Sequence, residues 1–382
     1  MGERLLAMVT AADAHDPCSL SGTPHFMLRA LERRGFEVDC LGPASPPSHK
    51  AGLLLNAVSK RVAGKRFAAK HSLALSRGYA RVFGRRLDER PYDAVIAPFA
   101  STEIARLKTR LPIVYLSDLT FDLALDFYPA FSGLLRRSRR QGEEIERSAV
   151  QRASLLVYPT CWAARSALER YGAQPGKVHV IPFGANIEDP PAREEVLPRL
   201  PGEAPRLLFV GVDWERKGGP IALQALRELR RSGLRAELTV LGCSPPGLEE
   251  EEGVRVIPFL DKKDPRQLAE FRRLYREHDF LLLPTRKEAY GIVFCEAAAF
   301  GLPVVSTEAG GVPELVRQGD NGYLLPPTAS GAEYARVIEE LFGDAGLYAS
   351  LCEKSRVLFE ERLNWDAWGE RMACLLEELM SR

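Results

Sequence analysis

The sequence predicts an α/β protein built from two doubly wound parallel sheets in tandem, and three observations lead to this prediction. The chain has 382 residues, enough for two domains that each bury a core. Short apolar runs alternate with helical segments, as in buried parallel strands joined by helices. This alternation stops in a stretch rich in proline and charge, residues 188–205, and then restarts. We therefore expect domains at 1–187 and 206–362, a linker at 188–205, and a C-terminal helix within 363–382.

In the first half, turn residues bound each apolar run. The first helix is expected to have Thr23 as its N-cap and Pro24 as its first residue, and to end at Gly35. A later helix is expected over residues 143–153. The strands are predicted at residues 4–10, 37–41, 92–98, 112–116, 154–158 and 178–182.

In the second half the same alternation predicts a second sheet. Strands are expected at residues 206–210, 236–241, 254–259, 279–284 and 303–306, with helices at 220–232, 265–278 and 292–300. The last segment is amphipathic, because Trp365, Trp368 and Met372 recur at helical spacing. Doubly wound sheets bind ligands at the carboxyl ends of their strands, so the loops that follow the strands are the places to search for a site.

The composition excludes several classes of protein. A formal net charge of +1 argues against a nucleic-acid-binding protein. Seven scattered cysteines, an odd number without a C-x-x-C pair, argue against a disulfide framework or a zinc site. The first ten residues are too short and too polar for a signal peptide, and no apolar run approaches the roughly 20 residues that cross a bilayer. We expect a cytoplasmic protein, and peripheral attachment to the inner face of the cell membrane stays open.

The most informative motif is residues 288–297, Glu-Ala-Tyr-Gly-Ile-Val-Phe-Cys-Glu-Ala, which follows a predicted strand and opens a helix. The free N–H groups of the first turn, from Gly291, Ile292 and Val293, are suited to bind a phosphate by donating hydrogen bonds to its oxygens. Carboxylates on either side, Glu288 and Glu296, are placed to accept hydrogen bonds from hydroxyls of two sugars. Taken alone, the two carboxylates are equally typical of solvated charges at a helix end.

Two further loops have the same form. In residues 209–219 a strand ends at Gly211, and Arg216 and Lys217 precede the next helix. Adjacent cations in such a loop suit a diphosphate, although an isolated Arg-Lys pair is more often a surface pair. In residues 308–315, Glu-Ala-Gly-Gly-Val-Pro-Glu-Leu, a Gly-Gly loop again follows a strand.

Together with the loop 19–24 and the segments 171–172 and 177–186, these motifs resemble the retaining glycosyltransferases of family 4. The resemblance covers most of the chain, and the Glu-x7-Glu segment followed by Gly-Gly-Val-Pro-Glu is highly specific. It implies the GT-B fold: two Rossmann-like domains that face each other across a cleft, with a C-terminal helix that crosses back to the first domain. The first domain is then the acceptor side, and residues 206–362 bind the nucleotide-sugar.

The resemblance also implies roles for single residues. Glu296 is expected to bind the ribose and Glu288 the donor sugar, while Arg216 and Lys217 neutralise the departing diphosphate. Many members carry a histidine after the fourth strand; here that position is Asp118, which we assign to sugar binding. The remaining nucleotide-sugar contacts are expected at Gly22, Phe259, Leu260, Tyr290, Gly291, Ile292 and Val293, with residues 257–260 near the base.

The predicted activity is transfer of a sugar, with retention, from a nucleoside diphosphate sugar to a glycan, lipid-linked or small-molecule acceptor. UDP-sugars are favoured over GDP-sugars on family frequency alone. No Asp-x-Asp occurs in the chain, so neither a metal nor another cofactor is expected. Three alternatives stay open: a GT-B nucleotide-sugar epimerase, a GT-B phosphorylase, and a non-catalytic nucleotide-sugar-binding protein.

One segment has a marked charge bias. Between Asp39 and Asp88 there is no acidic residue, and the cations of residues 50–86 are interleaved with Leu, Val, Phe and Tyr; a second basic cluster lies at residues 136–140. Such a pattern indicates peripheral contact with an anionic membrane surface. A solvated face, or a surface that grips an acidic acceptor, would have the same pattern.

Overall fold

The structure is a computed structural model that describes residues 4–381. By internal packing the chain divides into two compact units. Unit 1 contains the residues up to Pro182 and those from Trp368 onward, and unit 2 is Phe183–Ala367. Each unit, within the described residues, is organised around one six-stranded sheet.

The sheet of unit 1 is parallel throughout, in the order β2-β1-β3-β4-β5-β6. The strand order reverses at β1, which pairs with β2 on one side and β3 on the other. Both faces are covered by helices, so the central strands β3, β4 and β5 are buried along their whole length. The strands are β1 (Arg4–Met8), β2 (Phe36–Cys40), β3 (Ala94–Pro98), β4 (Ile113–Leu116), β5 (Leu155–Tyr158) and β6 (Val178–Val180).

The helices of unit 1 depart from the sequence prediction at two starts. They are α1 (Thr23–Arg33), α2 (Pro47–Ala63), α3 (Leu73–Leu87), α4 (Ser101–Ile104), α5 (Phe121–Ala124), α6 (Arg136–Arg152) and α7 (Cys161–Tyr171). The prediction that Thr23 caps α1 is wrong: Thr23 is already helical, and the N-cap is Gly22 at φ 82°. Glycine adopts this left-handed conformation without the steric cost that a side chain brings.

Helix α6 begins at Arg136 rather than near Glu143. Several arginines occupy its first turns, where positive charge opposes the helix macrodipole, so local preference does not favour a helix start there. Tertiary contacts outweigh that local preference, because Ser138 is buried and its Oγ accepts a hydrogen bond from the backbone N–H of Ala68 at 3.1 Å.

Unit 2 repeats the design with a parallel sheet in the order β12-β11-β10-β7-β8-β9. Its strands are β7 (Arg206–Val210), β8 (Glu237–Leu241), β9 (Val254–Ile257), β10 (Phe280–Leu283), β11 (Val304–Thr307) and β12 (Gly322–Leu325). The order reverses between β7 and β10, which are neighbours in the sheet. The loops that follow these two strands therefore leave the sheet side by side at its carboxyl edge. The remaining helices of the described chain are α8 (Arg193–Val196), α9 (Gly219–Arg231), α10 (Pro265–Glu277), α11 (Ile292–Ala299), α12 (Gly331–Gly343), α13 (Ala345–Glu361) and α14 (Trp365–Met380).

The segment 188–205 is attached to unit 2. It contains α8, and the buried guanidinium of Arg199 donates to the carbonyl oxygens of Tyr275 at 3.3 Å and Phe300 at 3.4 Å. Packing divides the units at Pro182/Phe183 and Ala367/Trp368, whereas the predicted bounds at 187 and 362 follow composition.

Helix α14 confirms the predicted return of the C-terminal helix to the first domain. From Trp368 onward it belongs to unit 1, and at Gly369 it lies so close to α1 that a Cβ there would stand 3.1 Å from the carbonyl oxygen of Ala30. Over residues 4–381, none of the helices has both the length and the apolar character that a bilayer crossing requires.

Candidate functional site

The predicted site residues are distributed over the two units. Gly22, which caps α1, and Asp118, which follows β4 by two residues, lie in unit 1. Both stand in loops on the carboxyl side of strands of the first sheet, where doubly wound folds bind ligands. All the other predicted residues lie in unit 2, where the structure shows how they are arranged.

The structure brings Arg216 and Lys217 together with Glu288, 71 positions away along the chain. Lys217 Nζ donates to Glu288 Oε2 in a buried ion pair, and Arg216 Nη1 lies 3.8 Å from the same oxygen. Arg216 is also held by the carbonyl oxygen of Lys287 at 2.9 Å and by the carboxylate of Asp213 at 3.4 Å. A buried charge is stable only when it is paired, so Lys217 and Glu288 depend on each other.

Two glycines allow the loops after β7 and β10 to meet this closely. At Gly218, φ is 78° and a Cβ would lie 1.9 Å from the carbonyl oxygen of Pro284. At Gly219 a Cβ would lie 2.0 Å from the ring of Trp214. No other residue fits at either position without moving backbone or ring. The two glycines therefore allow the loop that carries Arg216 and Lys217 to contact the loop that carries Glu288.

Helix α11 begins beside this ion cluster. Its N-cap, Gly291, has φ 85°, and a Cβ there would lie 2.6 Å from the ring of Phe294 and 3.1 Å from Glu288 Cγ. The half-buried Ile292 and Val293 form the first turn, whose N–H groups have no acceptor inside the helix. The Gly-Gly loop after β11 joins the cluster, because the N–H of Gly311 donates to the Glu288 carbonyl at 3.2 Å.

Glu296 is buried one turn into α11 and is held by two residues that the sequence analysis missed. Lys262 Nζ donates to Glu296 Oε1 at 2.6 Å, and the hydroxyl of Tyr275 donates to Glu296 Oε2 at 3.0 Å. The signal for Lys262 was its place two residues after the 257–260 segment that the resemblance puts near the base. Tyr275 gave no signal, because on sequence it reads as one more apolar residue of α10.

Tyr290 and Cys295 contribute to the support of the site. The buried Tyr290 hydroxyl donates to the carbonyl oxygen of Phe183 at 2.7 Å. The predicted contact of Tyr290 with the ligand stays a prediction. Cys295 is buried beside it, 3.4 Å from the Tyr290 oxygen. Burial raises the pKa of the Cys295 thiol to about 12, which keeps it protonated at neutral pH and fits packing better than chemistry.

Phe259 and Leu260 follow β9 at the same carboxyl edge of the second sheet. Phe259 is 63% exposed, unusual for a phenylalanine, whereas Leu260 is half-buried. Unit 2 thus combines, along one edge of its sheet, an exposed aromatic ring, two cations, a helix N-terminus and two buried carboxylates. This set is suited to a ligand with an aromatic base, an anionic group and hydroxyls.

Two family models match the chain, one in each half. The model described as Glycosyltransferase Family 4 matches residues 25–189, and the model described as Glycosyl transferases group 1 matches residues 204–344. The second match contains every predicted site residue of unit 2.

Curated relatives are similar over part of their length. A D-inositol 3-phosphate glycosyltransferase of Corynebacterium aurimucosum is 29% identical over 255 residues, 62% of this chain and 59% of the relative. The protein with the same name from Acidothermus cellulolyticus is 32% identical over 269 residues, 62% of this chain and 58% of the relative. The chain therefore spans less than two thirds of the relatives that it matches.

Solved structures are similar over nearly the whole chain. Sucrose-phosphate synthase from Thermosynechococcus elongatus has a TM-score of 0.70 at 17% identity, covering 99% of this chain and 100% of that one. Alr3699/HepE of Anabaena, in complex with UDP-glucose, has a TM-score of 0.63 at 16% identity, covering 98% and 99%. Such a likeness establishes the fold, GT-B. With the two family models and the motifs of unit 2, it shows that the chain belongs to the group 1, family 4 glycosyltransferases.

Proposed function

We propose that the protein transfers a sugar from a nucleoside diphosphate sugar to an acceptor, with retention at the anomeric carbon and without a metal ion. The observation that carries the proposal is the buried contact of Arg216 and Lys217 with Glu288 beside the N-terminus of α11. Cations and helical N–H groups attract a diphosphate, and a carboxylate next to them accepts hydrogen bonds from sugar hydroxyls.

Charge balance in the cluster suggests how a donor is bound. Arg216 and Lys217 face two carboxylates, Asp213 and Glu288, so the local charge is close to neutral without a ligand. A diphosphate adds negative charge that the cations would share with the carboxylates. Lys217 then bridges the phosphates and Glu288, and Glu288 keeps its remaining lone pairs for the donor sugar. The developing charge on the leaving diphosphate is stabilised by groups that are already in place.

The same proposal assigns the other residues. Glu296 binds the ribose hydroxyls, and the exposed ring of Phe259 is available to the base. We favour UDP-sugars; the UDP and UDP-glucose complexes of HepE, a protein of the same fold, support this choice. By the family resemblance, Asp118 binds the donor sugar and the Gly22 loop approaches the phosphates. The acceptor is a glycan, a lipid-linked sugar or a small molecule; the relatives' name suggests a phosphorylated polyol among the small molecules.

Thermal stability with a nucleotide panel tests the donor site. UDP, GDP and ADP, with and without their common sugars, are compared on wild type and Glu296→Ala. A nucleotide at about a hundred times its dissociation constant stabilises by roughly 2.7 kcal/mol, a shift of a few degrees in Tm. A shift by one nucleotide family that collapses in the variant is expected; no shift with any nucleotide would overturn the proposed donor site.

Product analysis separates the transferase from its alternatives. NMR of the product in the presence of acceptor would show the anomeric configuration of the donor retained. Sugar conversion without acceptor would indicate an epimerase, and phosphate-dependent glycan cleavage a phosphorylase. Tight nucleotide binding without sugar release in the presence of an acceptor panel would favour a non-catalytic binding protein.

We also propose that α2 docks on an anionic membrane surface. Four aliphatic side chains of α2 are more than half exposed, and at about 100° per residue they fall within one 100° stripe: Leu54, Leu55, Val58 and Val62. The opposite face is the packed one, where Gly52 lies against Ala69 and Asn56 accepts from the N–H of Phe67 at 3.1 Å. The stripe therefore faces away from the contacts that anchor the helix.

The cations near this stripe indicate which kind of partner covers it. Lys50 and Arg61 border it on the Leu54 side, and α3, which packs against α2, carries Arg77, Arg81 and Arg85 as an exposed row with i, i+4, i+8 spacing. These five cations form no ion pair with any residue between 4 and 381. Apolar side chains bordered by unneutralised cations fit lipid headgroups and the acyl chains below them better than a protein of mixed charge.

Vesicle co-sedimentation tests the membrane proposal. We expect binding to phosphatidylglycerol vesicles at low salt, weaker binding at high salt, and none to phosphatidylcholine vesicles. Leu54→Ser should weaken binding, whereas Leu200→Ser, which removes a leucine exposed to a similar degree in unit 2, should not. The Arg77→Gln/Arg81→Gln/Arg85→Gln variant should lose about 1 kcal/mol for each cation. Absence of vesicle binding, or concentration-dependent dimerisation that Leu54→Ser abolishes, would refute the proposal.

A further inference from the structure

The environment of Glu296 has a feature that the proposed function does not use. Both carboxylate oxygens are already engaged in the unliganded chain: Oε1 by Lys262 and Oε2 by Tyr275. The two donors differ in character. Tyr275 is fully buried in the core of unit 2, and Lys262 is one-third exposed. Glu296 is thus held from the interior and from the solvent side together.

Each of these donors is itself fixed. Lys262 Nζ also donates to the carbonyl oxygen of Asn186 at 3.2 Å and lies 4.1 Å from the centre of the Phe271 ring, a favourable place for a cation. The Tyr275 ring stacks on Phe300, with ring centres 5.4 Å apart. A side chain that is held by several contacts loses little further freedom when it acts, so this arrangement is preorganised.

We infer that Lys262 and Tyr275 are positioning residues that make Glu296 selective for a ribose over a deoxyribose. A carboxylate has about four lone-pair sites, and the two donors occupy one on each oxygen. One site therefore remains on each oxygen. A vicinal diol presents two O–H donors side by side and matches them. Without Lys262 or Tyr275 one oxygen loses the donor that fixes it, the carboxylate can turn about the remaining contact, and the match to the diol is lost.

This inference rests on the proposed contact between Glu296 and the ribose, and it makes Lys262 and Tyr275 determinants of nucleotide specificity. A role in stability alone predicts something else. If the two residues only support α11, their removal weakens the binding of every nucleotide alike, because it displaces the phosphate-binding turn together with Glu296. Only the positioning role concerns the ribose hydroxyls by themselves.

Titration calorimetry with UDP and 2′-deoxy-UDP, and with GDP and 2′-deoxy-GDP in parallel, tests the inference on the full chain. In wild type the ribonucleotide should bind roughly ten- to hundredfold more tightly, the range expected for one hydrogen bond to a charged group. In Lys262→Met and Tyr275→Phe this ratio should fall towards one, while binding of the deoxynucleotide stays nearly unchanged. Lys262→Arg, which keeps a cationic donor, should retain most of the ratio.

The matched control is Lys263→Met, which removes one positive charge at the next, exposed position. It should leave the ratio as in wild type. Equal weakening of ribo- and deoxynucleotide binding in Lys262→Met, or an unchanged ratio, would overturn the inference.

Glu296→Ala distinguishes the two levels of failure. If Glu296→Ala abolishes the ratio and Lys262→Met does not, the ribose contact stands and only the positioning role fails. If Glu296→Ala leaves the ratio unchanged, or if neither UDP nor GDP binds the wild type, the proposed function of Glu296 fails and the inference fails with it.

Discussion

Replacement of Lys217 by methionine tests the ion pair at the centre of the candidate site. The side chains of Lys217 and Glu288 are only 10% and 9% exposed, so the pair is largely withdrawn from water. Methionine keeps most of the length of the side chain but leaves the Glu288 carboxylate buried without its ammonium partner. Arg216 Nη1, 3.8 Å away, is too far for a good hydrogen bond to this oxygen.

The expected loss follows from this burial. Breaking a buried pair by removing one partner costs about 3–5 kcal/mol, against at most about 1 kcal/mol for a pair on the surface. Because Arg216 lies near and compensates part of the charge, we expect the lower end, about 3 kcal/mol, for Lys217→Met. The double variant Lys217→Met/Glu288→Gln removes the orphaned charge as well and should recover most of this loss.

Urea denaturation, followed by tryptophan fluorescence and circular dichroism, measures these differences. Trp214 packs against Phe209, with ring centres 5.1 Å apart, and reports on the loop that carries Lys217. A loss below 1 kcal/mol for Lys217→Met, or additive losses in the double variant, would refute the reasoning, because either result would mean that the pair is effectively solvated. Donor binding should stay impaired in the double variant even where stability recovers, since both proposed ligand contacts are gone.

Three further predictions concern separate features of the chain. Gly291→Ala should destabilise by about 1–3 kcal/mol and weaken nucleotide binding, because φ is 85° and the new Cβ would stand 2.6 Å from the Phe294 ring; unchanged melting and affinity would contradict the tight turn. Burial raises the pKa of Glu146 from 4.5 to about 7, so the native state binds the proton more tightly than the unfolded chain. The free energy of unfolding should therefore fall by about 3 kcal/mol as pH rises from 4.5 to 7, and Glu146→Gln should remove this part of the pH dependence. If the free energies of unfolding of wild type and Glu146→Gln differ by the same amount at every pH, the prediction is wrong. Transfer activity, measured as release of nucleoside diphosphate, should be unaffected by excess EDTA, and a loss restored by Mg²⁺ or Mn²⁺ would show that a metal is needed.

Local patterns predicted much of the fold because they are short-range. Buried parallel strands show as short apolar runs, and the strands β3, β4 and β10 lie within or close to the predicted segments. The errors at the helix starts have a common cause. The cap of α1 depends on the left-handed backbone at Gly22, and the start of α6 depends on the contact of Ser138 with Ala68. Helix propensities of single residues describe neither effect.

The sequence by itself determined that the chain has two α/β halves and which glycine-bearing loops follow their strands. Periodicity and the backbone freedom of glycine are properties of consecutive residues, so Gly291 and the carboxylates on either side of it are readable without coordinates. Only the tertiary structure decided which side chains meet. Lys217 reaches Glu288 across 71 positions because the order of strands in the sheet, not the order along the chain, makes the loops after β7 and β10 neighbours. Lys262, which follows the edge strand β9, reaches Glu296 across 34 positions although two strands lie between β9 and β10. Exposure is decided in the same way: spacing aligns Leu54 and Val58 on one face of α2, and the packing of the opposite face leaves that stripe uncovered.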